Sequence, residues 1–326
     1  MSRIVVRNLG KTFQVAEREP GFVGAMKGLF SRRYRDVKAI DDVSFTIPPG
    51  ELVGYIGPNG AGKSTTIKIL SGILVPTTGT CEVDGRVPWR DRREHARNIG
   101  VVFGQRSQLW WDLPVIESFE LLRDIYRIPP ERYSAARDEL VEILGIAPLL
   151  DTPVRLLSLG QRMRCDLAAS LLHRPGILFL DEPTIGLDAV SKLAIREFVR
   201  ALNRDHGVTV ILTTHDMDDI EALCERVIVV GEGRLLFDDS ITRLRQRLNP
   251  ERRLKVELIE RAEISLPGVR VKAREGNVVH LAFDPELRDA VDVIRDLVTG
   301  YPVRDLLVEN PAIEELIADL YRGGDA

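Results

Sequence analysis

The chain is short of cysteine, of long apolar runs and of net positive charge, and each shortage removes a class of protein. Its three cysteines, Cys81, Cys165 and Cys224, are odd in number, far apart and in no metal-ligand spacing. That argues against a disulfide framework and for a reducing compartment. No apolar run approaches the roughly 18 to 20 residues that cross a bilayer, and the amino terminus lacks a signal-peptide order. The chain is therefore expected to be cytoplasmic, with any membrane role reached through a partner. Forty-five Lys and Arg stand against 49 Asp and Glu, a formal charge of -4. A general nucleic-acid binder needs a basic surface to displace counterions, so no nucleic-acid partner is expected. Internal repeats, low-complexity stretches and sustained heptads are also missing. What remains, at 326 residues, is length for two domains, one of them large.

The chain is organised around Gly57-Pro58-Asn59-Gly60-Ala61-Gly62-Lys63-Ser64, followed by Thr65. This matches G-x-x-x-x-G-K-[ST] at every fixed position. The apolar run Leu52–Ile56 before it reads as a buried strand and Thr65–Leu70 after it as a helix, which is the context a phosphate-binding loop requires. Glycines let backbone N–H groups turn toward phosphate oxygens, and the helix start adds its positive dipole end. Lys63 is expected to reach the β- and γ-phosphates and the Ser64 hydroxyl to ligate Mg²⁺.

Ahead of the loop, Ile4–Leu9 and Asp42–Ile47 read as strands bracketing a segment from about Gln14 to Lys38. Within it Phe22, Val23, Met26, Leu29 and Phe30 recur at helical spacing, with Lys27, Arg32, Arg33 and Arg35 beside them. Two readings stay open: a surface for a membrane or a partner's helix, or a capping helix on the sheet. Beyond the loop, Arg90–Asn98 reads as an exposed helix with His95 solvated. Val101–Gly104 reads as a buried strand that ends at Gln105, where an amide could touch Mg²⁺ or an attacking water. Helical periodicity then runs from Ser107 to about Thr152. Val115, Phe119 and Leu122 mark one face, Pro129-Pro130 interrupts, and Leu140, Val141 and Leu144 mark the next. Trp110-Trp111 at its head is either a partner-binding surface or packing.

Ser158 is a candidate N-cap for a helix running to about Leu172, a second anion-facing helix start. The apolar strand Ile177–Leu180 delivers Asp181 and Glu182 side by side, suiting Asp181 to Mg²⁺ and Glu182 to polarising a water for attack on the γ-phosphate. Val208–Thr214 is another buried strand, ending at His215, which can donate to a γ-phosphate; His173, His206 and His280 have no such setting.

The order of Gly57–Ser64, Gln105, Leu157–Gln161, Ile177–Glu182, Gly186-Leu187-Asp188 and His215 resembles the ATP-binding subunits of ABC transporters, over roughly Ser2 to Phe237. The block Val102–Trp111 further resembles a bacterial branch associated with ABC-2 type exporters. The resemblance implies an α/β fold: a P-loop NTPase with a RecA-like core, an antiparallel β subdomain and an inserted helical subdomain at about 107–155. It implies ATP and Mg²⁺ as cofactors and integral membrane permease subunits of ABC-2 type as partners. It also implies a head-to-tail dimer with itself or a homologous ATPase subunit, peripheral on the cytoplasmic face of the membrane. Carried over onto matching positions, Ser158, Gly160 and Gln161 contact the partner's ATP, Asp188 communicates across the dimer, and Gln105 couples to the membrane subunits. Leu159 departs from the usual glycine of the signature. For stacking on adenine Phe13 matches best by position, with Phe22, Phe30 and Tyr34 as competitors. The alternative is a soluble ABC-type ATPase acting on nucleic acid or ribosomes, which would carry two cassettes or a long coiled coil. A nucleotide-binding regulator is opposed by Glu182.

The cassette is expected to span 1–238, followed by a linker helix at 239–252 and a small α+β accessory domain at 253–326, suited to dimer contact or regulation. There Leu254, Val256 and Leu258 alternate, as do Val269, Val271 and Ala273, and Val279, Leu281 and Phe283, with Gly276-Asn277 as a hairpin turn. A helix capped by Asp284 with Pro285 first is expected to follow, apolar at Leu287, Val291, Ile294 and Val298. Val303–Val308 reads as a strand, and a last helix opened by Asn310-Pro311 places Ile313, Leu316, Ile317 and Leu320 inward.

Overall fold

The computed structural model describes residues 3–17, 33–104, 106–248, 251–285, 287–309 and 313–323. The chain divides into two compact units, Met1–Asp238 and Asp239–Ala326. In chain order the first holds β1 (Ile4–Glu17), β2 (Arg33–Ile47), β3 (Leu52–Ile56), α1 (Lys63–Leu70), β4 (Thr78–Val83), α2 (Arg92–Ala96), β5 (Ile99–Phe103), α3 (Val115–Tyr126), α4 (Pro130–Ile143), α5 (Leu159–Leu171), β6 (Ile177–Asp181), α6 (Ala189–His206), β7 (Thr209–Thr213), α7 (Met217–Leu223), β8 (Arg226–Gly231) and β9 (Arg234–Ser240).

The central sheet has six strands in the order β5-β6-β7-β3-β8-β9. Strands β5, β6, β7, β3 and β8 pair in parallel. Continuous apolar runs form β3, β6 and β7, and every residue of them is buried, because a parallel sheet is covered on both faces. Phe103 pairs with Asp181 and Asp181 with Thr213. The carboxyl ends of β5, β6 and β7 therefore finish level, with β3 alongside β7.

A three-stranded antiparallel sheet, β2-β1-β4, covers the core. Its apolar face, with Ile4, Leu9 and Ile47, joins Tyr55, Ile69, Leu70 and Phe179 in one cluster. Each such side chain contributes about 1.5–3 kcal/mol on burial. The segment expected as an insertion from Gln14 to Lys38 begins and ends as sheet: Gln14 pairs with Asp36 and Val15 with Arg35. Phe22, Val23, Met26, Leu29 and Phe30 lie outside the described residues. His95, expected to be solvated, is buried under α1, where its Nε2–H donates to the Leu70 carbonyl at 2.7 Å. Burial pushes its pKa down. The charged residues around His95 concealed that one position of this short helix faces inward.

Helices α3 and α4 form the helical subdomain. Val115, Phe119 and Leu122 are buried as their spacing predicts. Arg127, in the left-handed region, ends α3, and Pro130 is the first residue of α4.

The second unit contains α8 (Ile241–Leu248), β10 (Arg252–Leu258), β11 (Val269–Glu275), β12 (Val278–Phe283), α9 (Ala290–Gly300), β13 (Val303–Glu309) and α10 (Ile313–Gly323). Its four strands form an antiparallel sheet, β11-β12-β10-β13. The helix expected as a linker, α8, belongs to this unit: it packs on α10 and buries Leu244. Helix α9 starts later than expected, with Asp289 and not Asp284 at its N-cap position and no side-chain capping bond there. Val293 and Leu297 face the core, while Leu287, Val291 and Val298 are exposed, so the expected apolar face is corrected by about a quarter turn. The β11–β12 register shifts between Val271 and Ala273, which places Ala273 opposite His280 and breaks the expected alternation; Val271, opposite Leu281, is also exposed.

Candidate nucleotide-binding site

Between β3 and α1 the phosphate loop forms a helix start with no side-chain cap. Gly62 occupies the N-cap position at φ 95°, and a Cβ there would lie 2.3 Å from the Ala39 carbonyl oxygen. Only glycine satisfies both the left-handed backbone and that approach. The first N–H groups of α1 are thus left for a ligand. Lys63 is 6% exposed. Its ammonium donates to the carbonyls of Gly57 at 2.6 Å and Pro58 at 3.1 Å. Burial pushes its pKa down, and the carboxylates of Glu182 and Asp181 oppose that shift.

Asp181 ends β6 and is buried. Its Oδ1 accepts from the Ser64 hydroxyl at 3.1 Å and the Thr213 hydroxyl at 2.6 Å. Two of the three residues expected to hold a metal, Ser64 and Asp181, are thus already side by side, through oxygens of the hard type that Mg²⁺ prefers. Glu182 follows at φ 55°, with its N–H donating to the Thr213 carbonyl at 2.9 Å. A non-glycine residue there stores roughly 1–3 kcal/mol of strain, a pattern common at reactive sites. Its Oε2 stands 3.7 Å from Nδ1 of His215, a side chain that is 58% exposed. A base candidate, a polar donor and two metal-ligand candidates are therefore gathered at neighbouring strand ends.

The expected residues of the second helix start are bonded within their own turn and toward α6. Ser158 and Gln161 form a reciprocal capping box: Ser158 Oγ accepts the Gln161 N–H at 3.3 Å, and Gln161 Oε1 accepts the Ser158 N–H at 2.9 Å. A Cβ on Gly160 would come 2.5 Å from Ser191 Oγ. Ser191 in turn donates from its hydroxyl and N–H to Asp188, the N-cap of α6, at 2.8 and 2.9 Å. Phe13 lies on β1 opposite Val37, 36% exposed, with the Lys11 ammonium 5.2 Å from the ring centroid. Tyr34 is exposed on the same hairpin. Gln105, Phe22 and Phe30 lie outside the described residues.

Three supporting residues were not singled out from the sequence. Thr213 orients Asp181, and Ser191 bridges Gly160 and Asp188. Asp219, fully buried, accepts from the Thr184 hydroxyl and from Arg196, joining the segment after Glu182 to the one after His215. A lone threonine closing an apolar strand was the available signal for Thr213. Asp219 looks in sequence like one more acid of an exposed helix.

Residues 40–185 match the family described as ABC transporter. The ABC transporter ATP-binding protein NatA of Bacillus subtilis (strain 168) is 34% identical over 218 residues, 66% of this chain and 88% of that protein. The daunorubicin resistance ATP-binding protein DrrA3 of Streptomyces coeruleorubidus is 32% identical over 297 residues, 89% of this chain and 93% of that one. Among solved structures, a dimeric post-hydrolysis state of the ATP-binding cassette MJ0796 bound to ADP and Pi aligns with TM-score 0.61 at 26% identity, over 73% of this chain and 98% of that chain. Likeness of this extent to transporter ATPases, together with the cassette fold, makes the chain a member of the ATP-binding subunits of ABC transporters and its activity ATP hydrolysis.

Proposed function

We propose that this subunit hydrolyses Mg²⁺-ATP at the interface of a head-to-tail dimer, with itself or a homologous subunit, and so drives export through ABC-2 type membrane subunits on the cytoplasmic face. The observation that carries the reading is the convergence of Lys63, Ser64, Asp181, Glu182 and His215 on neighbouring strand ends. Lys63 and the uncapped N–H groups of α1 bind the phosphates. Ser64 and Asp181 would hold Mg²⁺, which supplies charge neutralisation across the β- and γ-phosphates. Glu182 accepts a proton from the attacking water, and His215 donates toward the γ-phosphate. Phe13 stacks on adenine.

One chain presents two anion-facing helix starts, α1 and α5, in separate places. A nucleotide uses both only when a second chain supplies one, so Ser158, Gly160 and Gln161 serve the partner's ATP, and Asp188 answers across the interface through Ser191. Export is supported by the drug-resistance relative that matches most of the chain. Docking of membrane subunits on the helical subdomain is supported by the exposed Trp110, Trp111, Leu121 and Ile125, since exposed aromatic clusters mark partner surfaces. The test is affinity capture from detergent-solubilised native membranes. Recovery of chains with about six transmembrane helices each is the expected result, and recovery of soluble or ribosomal partners alone would sink the transporter reading.

A further inference from the structure

One carboxylate of the first unit has no part in the chemistry above. Asp166 lies on α5, about two turns beyond Ser158, and is 3% exposed. It stands among Met163, Cys165, Leu167 and Ala169, all buried. Packing alone would be served by a small apolar residue there, and a buried carboxylate is unfavourable unless donors surround it. Donors do. Its Oδ1 accepts from the Ser107 hydroxyl at 2.9 Å and the Gln108 N–H at 3.0 Å. Ser107 Oγ also accepts the Leu109 N–H at 3.1 Å, and Gln108 Nε2 donates to the Asp166 carbonyl at 2.9 Å. Burial pushes the carboxyl up to about 6, against these bonds.

The other end of the same loop is fastened differently. The Gly104 N–H donates to the Asp181 carbonyl at 2.8 Å, and a Cβ on Gly104 would lie 2.0 Å from the Glu182 carbonyl oxygen. Residue 104 is thus held to the strand that carries Asp181 and Glu182, and residues 107–109 are held to the helix that carries Ser158–Gln161. The position of Gln105 falls between the two attachments.

We propose that Asp166 is a positioning residue for ATP turnover: its carboxylate clamps Ser107–Leu109 to α5, so that this stretch moves with the signature helix and not with the central sheet. The proposal rests on the ATPase reading above. Under it, a displacement at the helical subdomain reaches residues 107–109 and the signature turn together.

The test compares Asp166→Ala, Asp166→Asn and Ser107→Ala in the full chain, by amide hydrogen exchange and by steady-state ATPase kinetics. In Asp166→Ala, exchange at Gln108 and Leu109 should rise about tenfold or more, with α5 protection and the melting transition retained. The kcat should fall about tenfold, with KM for ATP changed by less than about twofold. Asp166→Asn keeps an oxygen acceptor and should stay within about threefold of the parent. Ser107→Ala should reproduce the kcat loss in smaller measure, and it guards against a misfolded Asp166→Ala. Unchanged exchange at Gln108 and Leu109 would overturn the proposal. So would faster exchange with unchanged kcat, or an Asn variant as impaired as the Ala variant. A parent chain without ATP turnover would overturn the ATPase reading instead, and the exchange comparison would still decide the clamp.

Discussion

The two helix starts proposed to face phosphate, those of α1 and α5, are built in opposite ways. α1 begins at a glycine with no side-chain cap, so the N–H groups of its first turn receive no capping side chain. α5 begins with a complete capping box in which Ser158 and Gln161 satisfy one another. The first turn is prepared for a ligand at all times. The second satisfies its own donors. Under the proposed reading, the start that binds nucleotide in each chain keeps its donors open, whereas the one used only when a second chain arrives stabilises its helix meanwhile.

Breaking the open side has the largest expected effect. Lys63→Ala should reduce ATP affinity by about a hundredfold or more, since charge-assisted bonds to phosphate are lost; isothermal titration checks it. Glu182→Gln sharpens the comparison by trapping the closed state. Its kcat should fall by about a hundredfold or more with ATP binding kept and a dimer on size-exclusion chromatography in Mg²⁺-ATP, whereas turnover at the parent rate would remove Glu182 as the base. Ser158→Ala attacks the self-capped side and should cost about 1 kcal/mol of stability by denaturant unfolding, with a loss of ATPase but little change in nucleotide binding by the single chain. A large drop in single-chain binding would refute the division between the two starts. The smallest effects belong to the second unit. Val298→Ala should lie within about 0.5 kcal/mol of the parent, and Val293→Ala should cost about 1–3 kcal/mol; equal values would reject the observed face of α9.

How much of this was legible in the sequence differs between the two units. In the first, the phosphate loop, the Asp181-Glu182 pair and His215 stand at the ends of apolar runs. Such short runs, bounded by turn residues, read as buried strands, and the pairing of β5, β6 and β7 brings their ends level. Their chemistry is local: residue type and position at a strand end suffice. The second unit has weaker signals. The alternation of β11 fails at its register shift, and the apolar residues of α9 admit two faces until the start of the helix is known. Capping residues Asp284 and Asp289 are both present, and the choice between them is made by the packing of Val293 and Leu297 beneath the sheet.

The sequence alone determined that an ATP-binding cassette is present, that its glycine-rich loop lies between a buried strand and a helix, and that a second, smaller α+β unit follows. These properties follow from short motifs and from periodicity within single elements. Only the tertiary structure decided that His95 is buried, that the Gln14 and Lys38 ends of the supposed insertion are strands, that Thr213 bonds Asp181 and Ser191 bonds Asp188, and that Asp166 accepts from Ser107 and Gln108. Most of these depend on a bond or a contact between residues far apart in the chain. Such partners leave no trace in local spacing, because a buried acid and a solvated one carry the same letter.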